Sequence, residues 1–172
     1  PKPMIPFFNR PVMEYALRLL KAHNIQKIAT TLQYHPDKIM NYFEDGKRWG
    51  VELKHYTEDK PLGTAGSVKN AKDFLDETFI VLSGDGITNA DLKNAVEFHK
   101  KKNSKVTIIL KEVEIPIEYG IVLLNEENRI QRFFEKPSWS EVFSNLANTG
   151  IYIIEPEILE YIEDGKPFDF SK

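Results

Sequence analysis

Apolar residues recur at helical spacing at Val12, Tyr15, Ala16, Leu19 and Leu20. This predicts a helix started by Asn9 and Pro11 with that face toward a core. A strand is expected near Lys27–Gln33, a Pro36-started helix over Asp37–Phe43, and a strand at Val51–Tyr56. Another helix follows Gly63 on Val68, Ala71, Phe74 and Leu75, and the apolar run Phe79-Ile80-Val81-Leu82 reads as a buried strand. The next helix spans about Ala90–Lys101, with Asn89 as candidate cap, and leads into the strand Val106–Leu110. Strands separated by helical segments predict an α/β fold with a parallel sheet and right-handed crossovers. After residue 110 the pattern changes. Ile121–Leu124, Ile130–Glu135 and Gly150–Ile154 read as strands, the first two closely connected, so a small antiparallel subregion is expected beside the sheet. No repeat, linker or low-complexity tract breaks the chain into separate units.

Composition narrows the function classes. With 172 residues, 41% of them hydrophobic, the chain can bury a core as one domain or as most of a larger one. Its 23 basic and 26 acidic residues are interleaved, leaving a net charge of −3 and no basic face for a phosphate backbone, so polymeric nucleic acid is not expected as a partner. The absence of cysteine excludes disulfides and thiolate metal sites and fits a reducing compartment. No apolar run approaches membrane-spanning length and no signal-peptide pattern opens the chain, so no membrane partner and a cytoplasmic location are expected.

Five stretches carry candidate chemistry. Pro61-Leu62-Gly63-Thr64-Ala65-Gly66 removes side-chain bulk at the mouth of a helix, so that a flat ring could lie on the main chain near the helix's first free N–H groups. An ordinary strand-to-helix turn is the alternative. Asp85, in Ser83-Gly84-Asp85-Gly86, follows the buried strand at its carboxyl end, where open α/β sheets collect ligands. A lone carboxylate there suits Mg²⁺, which keeps waters and takes phosphate oxygens; a turn aspartate capping its own loop is the alternative. Glu135-Lys136-Pro137 sets an acceptor beside a cation at a strand end, and both serve one ligand only if the strand ends or bends there. Their alternative is an exposed ion pair. Tyr119-Gly120 and Asn148-Thr149-Gly150 place small residues next to strand starts. Lys100-Lys101-Lys102 reads as a solvated helix end, Glu157, Glu160 and Glu163 as an exposed face, and the four histidines show no metal spacing.

In order and spacing, Pro1-Lys2-Pro3-Met4 with Pro6, Asn9 and Pro11, then Pro61–Gly66, Ser83-Gly84-Asp85, Tyr119-Gly120, Phe134-Glu135-Lys136-Pro137, Asn148-Thr149-Gly150-Ile151-Tyr152 and Phe168-Asp169-Phe170-Ser171-Lys172 resemble the sugar-1-phosphate nucleotidyltransferases, or nucleotide-sugar pyrophosphorylases. Within that family, Glu135–Trp139 followed by the Asn148 segment is most similar to mannose-1-phosphate guanylyltransferases, with glucose-1-phosphate enzymes close behind. The fold so implied is Rossmann-like: a mostly parallel open sheet flanked by helices, of the nucleotide-diphospho-sugar transferase type. The activity implied is transfer of a nucleoside monophosphate from an NTP, GTP favoured, to a sugar 1-phosphate. By the family pattern Lys2 contacts the phosphates, Asp85 holds Mg²⁺ and Lys136 draws in the sugar phosphate. Tyr119, Gly120, Glu135, Asn148 and Thr149 line the sugar; Pro61, Gly63, Thr64, Ala65 and Gly66 take the base with Glu58.

The chemistry of Glu58 bears on which base. Guanine presents two donors on one edge, which an ionised carboxylate accepts, whereas uracil or thymine sets a donor between two acceptors. Guanine is therefore favoured. A Gly-x-Gly-Thr-Arg loop on a first strand, expected just upstream of Pro1, and a second metal-binding aspartate, expected beyond Lys172, are not in this sequence. Residues 1–172 are thus expected to be a single, incomplete nucleotidyltransferase domain that does not turn over alone. Alternatives are a glucose-1-phosphate thymidylyl- or uridylyltransferase, and a non-catalytic regulatory member that binds a nucleotide sugar. A glycosyltransferase would call for an Asp-x-Asp motif that Gly84-Asp85-Gly86 does not supply. A homo-oligomer is compatible with all of these.

Overall fold

A hairpin of β1 (Pro6–Phe7) and β2 (Arg10–Pro11) leads into α1 (Val12–Ala22), and Pro11 occupies the helix N-cap. Asn9 lies in the hairpin turn at φ 63°, not at the helix start. The computed structural model describes residues 1–171; Lys172, the end of the Phe168–Lys172 segment, lies outside the described residues. The core stripe of α1 is Met13, Ala16, Leu17 and Leu20, and Val12, Tyr15 and Leu19 flank it half-buried. The stripe expected from Val12 and Leu20 is therefore rotated by about one position, because Met13 and Leu17 fill the space over the next two strands.

Those strands, β3 (Lys27–Leu32) and β4 (Glu52–Thr57), pair in parallel from Lys27 opposite Glu52 to Leu32 opposite Thr57, joined through α2 (Pro36–Phe43). Leu32, Ile39, Phe43, Val51 and Leu53 close one core with Met13 and Leu17. α3 (Gly63–Asn70) and β5 (Phe79–Val81) follow. Alternate residues of β5 go to different cores: Phe79 and Val81 pack with Ala65 and Val68 of α3, while Ile80 and the next residue, Leu82, pack with Leu20 and Leu92. Period-two alternation with both faces apolar is what a strand between two helical layers requires.

α4 (Leu92–Lys101) starts two residues later than expected, and Asp91, not Asn89, caps it by accepting from Asn94 N at 3.0 Å. Asp91 sits at the position whose side chain reaches the third helical N–H; Asn89 is too far upstream. β6 (Val106–Glu112), β7 (Gly120–Leu124), β8 (Ile130–Glu135) and β9 (Leu146–Ile154) complete the chain's strands. The fold is the expected α/β one, with parallel pairing in the two-stranded β3–β4 sheet and antiparallel pairing throughout the five-stranded sheet of β5–β9, so its antiparallel part extends further than the pattern suggests. β9 inserts between β5 and β6, antiparallel to both, and its first residues also meet β7. A helix between two strands sets their relative direction; it does not decide which later strand lies between them.

A buried polar cluster ties this sheet to α4. His99 is 1% exposed. Its Nε2–H donates to Glu155 Oε1 at 3.0 Å, which leaves Nδ1 to accept from the Thr107 hydroxyl at 2.8 Å. Glu155 also accepts from Thr78 Oγ1 at 2.8 Å. The His99 bond, then the Thr78 bond, hold the Glu155 carboxyl below the ordinary glutamate value of 4.5. A depressed folded-state pKa contributes stability that is fully present above the unfolded value and is lost as pH falls through the folded one. Urea midpoints followed from about pH 6 to about pH 3 should therefore fall more steeply in the wild type than in Glu155→Gln; equal slopes would dismiss the contribution.

Candidate active site

β3 and β4 form a two-stranded sheet of their own, and β5 is an edge strand of the five-stranded sheet. Glu58 directly follows β4, and its N–H donates to Leu32 O at 2.9 Å, extending the parallel ladder by one step. Its Oε2 accepts from Leu62 N at 3.3 Å, which folds the half-buried carboxylate over the 58–62 turn. Each carboxylate oxygen carries two lone pairs, so acceptor capacity for two further donors remains.

The glycine loop that follows is built differently from the expectation. Its first helical N–H groups are not free: Thr64 N donates to Asp169 Oδ1 at 2.9 Å, and Ala65 N and Gly66 N both donate to Phe168 O, at 2.9 and 3.1 Å. The glycines make room for the same segment. A Cβ on Gly63 would lie 2.6 Å from Phe168 O, and one on Gly66 would lie 2.9 Å from Lys166 O. Gly63 also sits at φ 70°, a conformation that glycine adopts without penalty. Pro61 and Thr64 stay exposed at the outer rim. Asp169 is thus a helix cap from 105 positions away.

At the end of β5, the exposed Asp85 accepts from Ser83 Oγ. The loop lies against the chain's first turn: a Cβ on Gly84 would be 3.8 Å from Met13 Cγ and 3.9 Å from Pro3. Lys2, exposed at the start of that 3₁₀ turn, is thereby brought to the neighbourhood of Asp85. No group of three His, Asp or Glu side chains converges among the described residues. One exposed carboxylate with glycines on both sides fits Mg²⁺ held by a single protein oxygen, waters and phosphate, and does not fit a closed metal cage.

The third group assembles around β7, β8 and β9. Gly120 pairs with Glu135, and a Cβ on Gly120 would meet Glu135 Oε2 at 2.6 Å and the Phe133 ring at 2.7 Å, so the carboxylate lies over the glycine. Lys136 adopts φ 46° and donates its N–H to Tyr119 O at 3.0 Å. The bend needed for Glu135 and Lys136 to serve one ligand is therefore made by Lys136 itself, ahead of the buried Pro137. On β9 the register with β6 shifts between Ile108 and Leu110. Gly150 bends there at φ 73°, pinned by Asn148 Oδ1 accepting from Gly150 N at 2.9 Å and by Thr149 Oγ1 donating to Ile109 O at 2.6 Å. Such bulges re-aim side chains beside sites. Asn148 Nδ2 is turned onto the Tyr152 hydroxyl at 2.7 Å. Burial, with the nearby Glu135 charge adding to it against the Asn148 bond, raises the Tyr152 pKa and keeps the phenol neutral. A cleft of about 570 Å³ opens here, lined by Ile108, Phe133, Glu135 and Phe170 among others. Tyr152, on β9, and Phe170, in the turn at the cleft wall, are contributors that motif reading passed over; neither stands next to a glycine or in a local pattern that marks it.

A family model for nucleotidyl transferases matches residues 1–170. The chain is 40% identical, over 99% of its length, to UTP--glucose-1-phosphate uridylyltransferase of Synechocystis sp., of which it covers 48%. It is 36% identical, over 100% of its length, to the mannose-1-phosphate guanylyltransferase catalytic subunit beta of Drosophila pseudoobscura pseudoobscura, of which it covers 47%. The chain thus spans about half the length of the curated relatives it matches. The crystal structure of HddC from Yersinia pseudotuberculosis complexed with GMP-PN superposes with a TM-score of 0.84 at 27% identity, over 99% of this chain and 74% of that one. The ordered glycine loop, the Asp85 turn and the Glu135–Lys136 bend accordingly have a common origin: the chain belongs to the nucleotidyl transferase family.

Proposed function

We propose that the protein transfers a nucleoside monophosphate from an NTP to a sugar 1-phosphate, with GTP and mannose 1-phosphate as the favoured pair, in the cytoplasm. The observation that carries this reading is the cradle of Glu135 over Gly120 beside Asn148 and Tyr152, with the Lys136 cation at its rim. Hydroxyl-rich sugars call for such paired acceptors and donors, and a sugar phosphate calls for the adjacent cation. A phosphate oxygen of the sugar 1-phosphate attacks the α-phosphorus of the NTP; the bond to the β-phosphate oxygen breaks in line, and pyrophosphate leaves. Catalysis by the chain is positioning and charge neutralisation. Glu135 and Asn148 orient the sugar, Lys136 neutralises its phosphate, and Lys2 meets the triphosphate. Asp85 would hold Mg²⁺, which when bound offsets the charge of the phosphates.

Support for guanine comes from the Glu58 carboxylate, held over its turn with acceptor capacity to spare. The 40% identity to a uridylyltransferase keeps UTP with glucose 1-phosphate as the second reading. Comparing GTP, dTTP and UTP binding to the intact protein and to Glu58→Gln separates them. Replacing one acceptor by a donor should weaken GTP by about tenfold and leave or improve the pyrimidines. An unchanged preference would remove guanine from the proposal.

A further inference from the structure

The glycine loop and the sugar cradle come from segments far apart in the chain, yet a single stretch touches both. Phe168 N donates to Leu62 O at 2.8 Å, Phe168 O takes two N–H groups of α3, and Asp169 takes a third, together with the Thr64 hydroxyl at 3.3 Å. Thr64 Oγ1 in turn accepts from Phe170 N at 3.0 Å. Phe170 packs on the Ala65–Val68 core, and its ring lies 4.8 Å from that of Tyr152 at an interplanar angle of 32°. Tyr152 carries the Asn148 hydrogen bond. An unbroken series of contacts thus runs from the α3 N-terminus through Asp169 and Phe170 to the sugar cradle.

We infer that Asp169 is a positioning residue: through Phe168–Phe170 it holds the nucleotide loop and the sugar cradle in one fixed relation, so that loosening either end misplaces both substrates. The inference rests on the proposed nucleotidyl transfer. Asp169 touches neither substrate in this account; it acts through Thr64 at one end and through Phe170, Tyr152 and Asn148 at the other. Its carboxylate accepts from Thr64 N beside Phe168 O, which takes Ala65 N and Gly66 N, and the two glycines make room for this segment. In-line transfer depends on the relative placement of two bound reactants, so a slack connection is read in kcat as well as in substrate affinity.

The test combines kinetics with amide exchange in the intact protein. Asp169→Ala should raise the KM for both GTP and mannose 1-phosphate by about fivefold and lower kcat by about tenfold, because the reactants lose their in-line placement. Exchange should quicken at residues 64–66 and also at residues 148–152. Asp169→Asn retains an acceptor oxygen and should restore both KM values to within about twofold of wild type. Phe170→Leu, which keeps the apolar contact with α3 and loses the ring on Tyr152, should move both KM values in the same direction and serves if Asp169→Ala does not fold. Quickened exchange confined to residues 64–66, or a rise in KM for only one substrate, would overturn the inference, as would an Asn variant as impaired as the Ala one. If the wild type turns over none of the NTP and sugar 1-phosphate pairs, the functional reading fails, and the exchange pattern at the two segments alone decides whether Asp169 couples them.

Discussion

Replacing Asp85 by alanine in the intact protein is expected to slow pyrophosphate release by about 10³-fold at saturating substrates, since a divalent cation at a phosphoryl centre supplies several kcal/mol of charge stabilisation. Asp85 is the exposed carboxylate at the β5 end, between two glycines and with the first turn of the chain packed against its loop. Among the described residues no second acidic side chain completes a cluster that could take over from its oxygens. The Mg²⁺ concentration for half-maximal activity should also rise, because water and phosphate oxygens alone bind the ion more weakly. A loss below tenfold with an unchanged Mg²⁺ dependence would take the metal role away from Asp85. Unfolding midpoints should barely move, since the Asp85 side chain lies on the surface, bonded to the nearby Ser83.

The largest effect on stability is expected at Gly63. Alanine there would be held at φ 70°, and its Cβ would lie 2.6 Å from Phe168 O and 2.9 Å from Asp169 Oδ1. The carbonyl cannot retreat without releasing Ala65 N and Gly66 N, and the carboxylate cannot retreat without releasing Thr64 N. Left-handed backbone strain of ~1–2 kcal/mol and net losses of ~1 kcal/mol per hydrogen bond place the cost at about 3 kcal/mol. Chemical denaturation of Gly63→Ala beside Gly86→Ala checks this, because a Cβ on Gly86 meets nothing within 4 Å. The Gly86 change should stay within about 0.5 kcal/mol. Equal costs at the two positions would mean that the 166–168 segment does not press on the loop.

These two glycine-flanked sites show where local pattern is sufficient and where it fails. The Asp85 loop could be placed from a four-residue apolar run followed by a Ser-Gly-Asp-Gly turn, since a buried strand must end where polar, flexible residues begin. The Glu135–Lys136 bend was half legible: the adjacent acceptor and cation were visible, while the left-handed φ of Lys136 that ends the strand there was not. The Gly63–Gly66 loop was legible as a place of close approach, while the chain segment that approaches it was not. A main chain and a ligand ring ask the same thing of a glycine, so the contact with Phe168 had to come from the tertiary structure.

Helix and strand order, the apolar faces and the motif-bearing turns were determined by the sequence alone, because burial imposes a period of two or about three and a half on neighbouring residues. Only the tertiary structure decided which distant partner each element meets. β9 lies between β5 and β6 although its pattern names neither, and Asp169 caps a helix 105 positions earlier although nothing around it marks a cap. The physical reason is the same in both cases: a residue's local pattern reports how much of it is buried, and hydrogen-bond pairing across the fold determines against what.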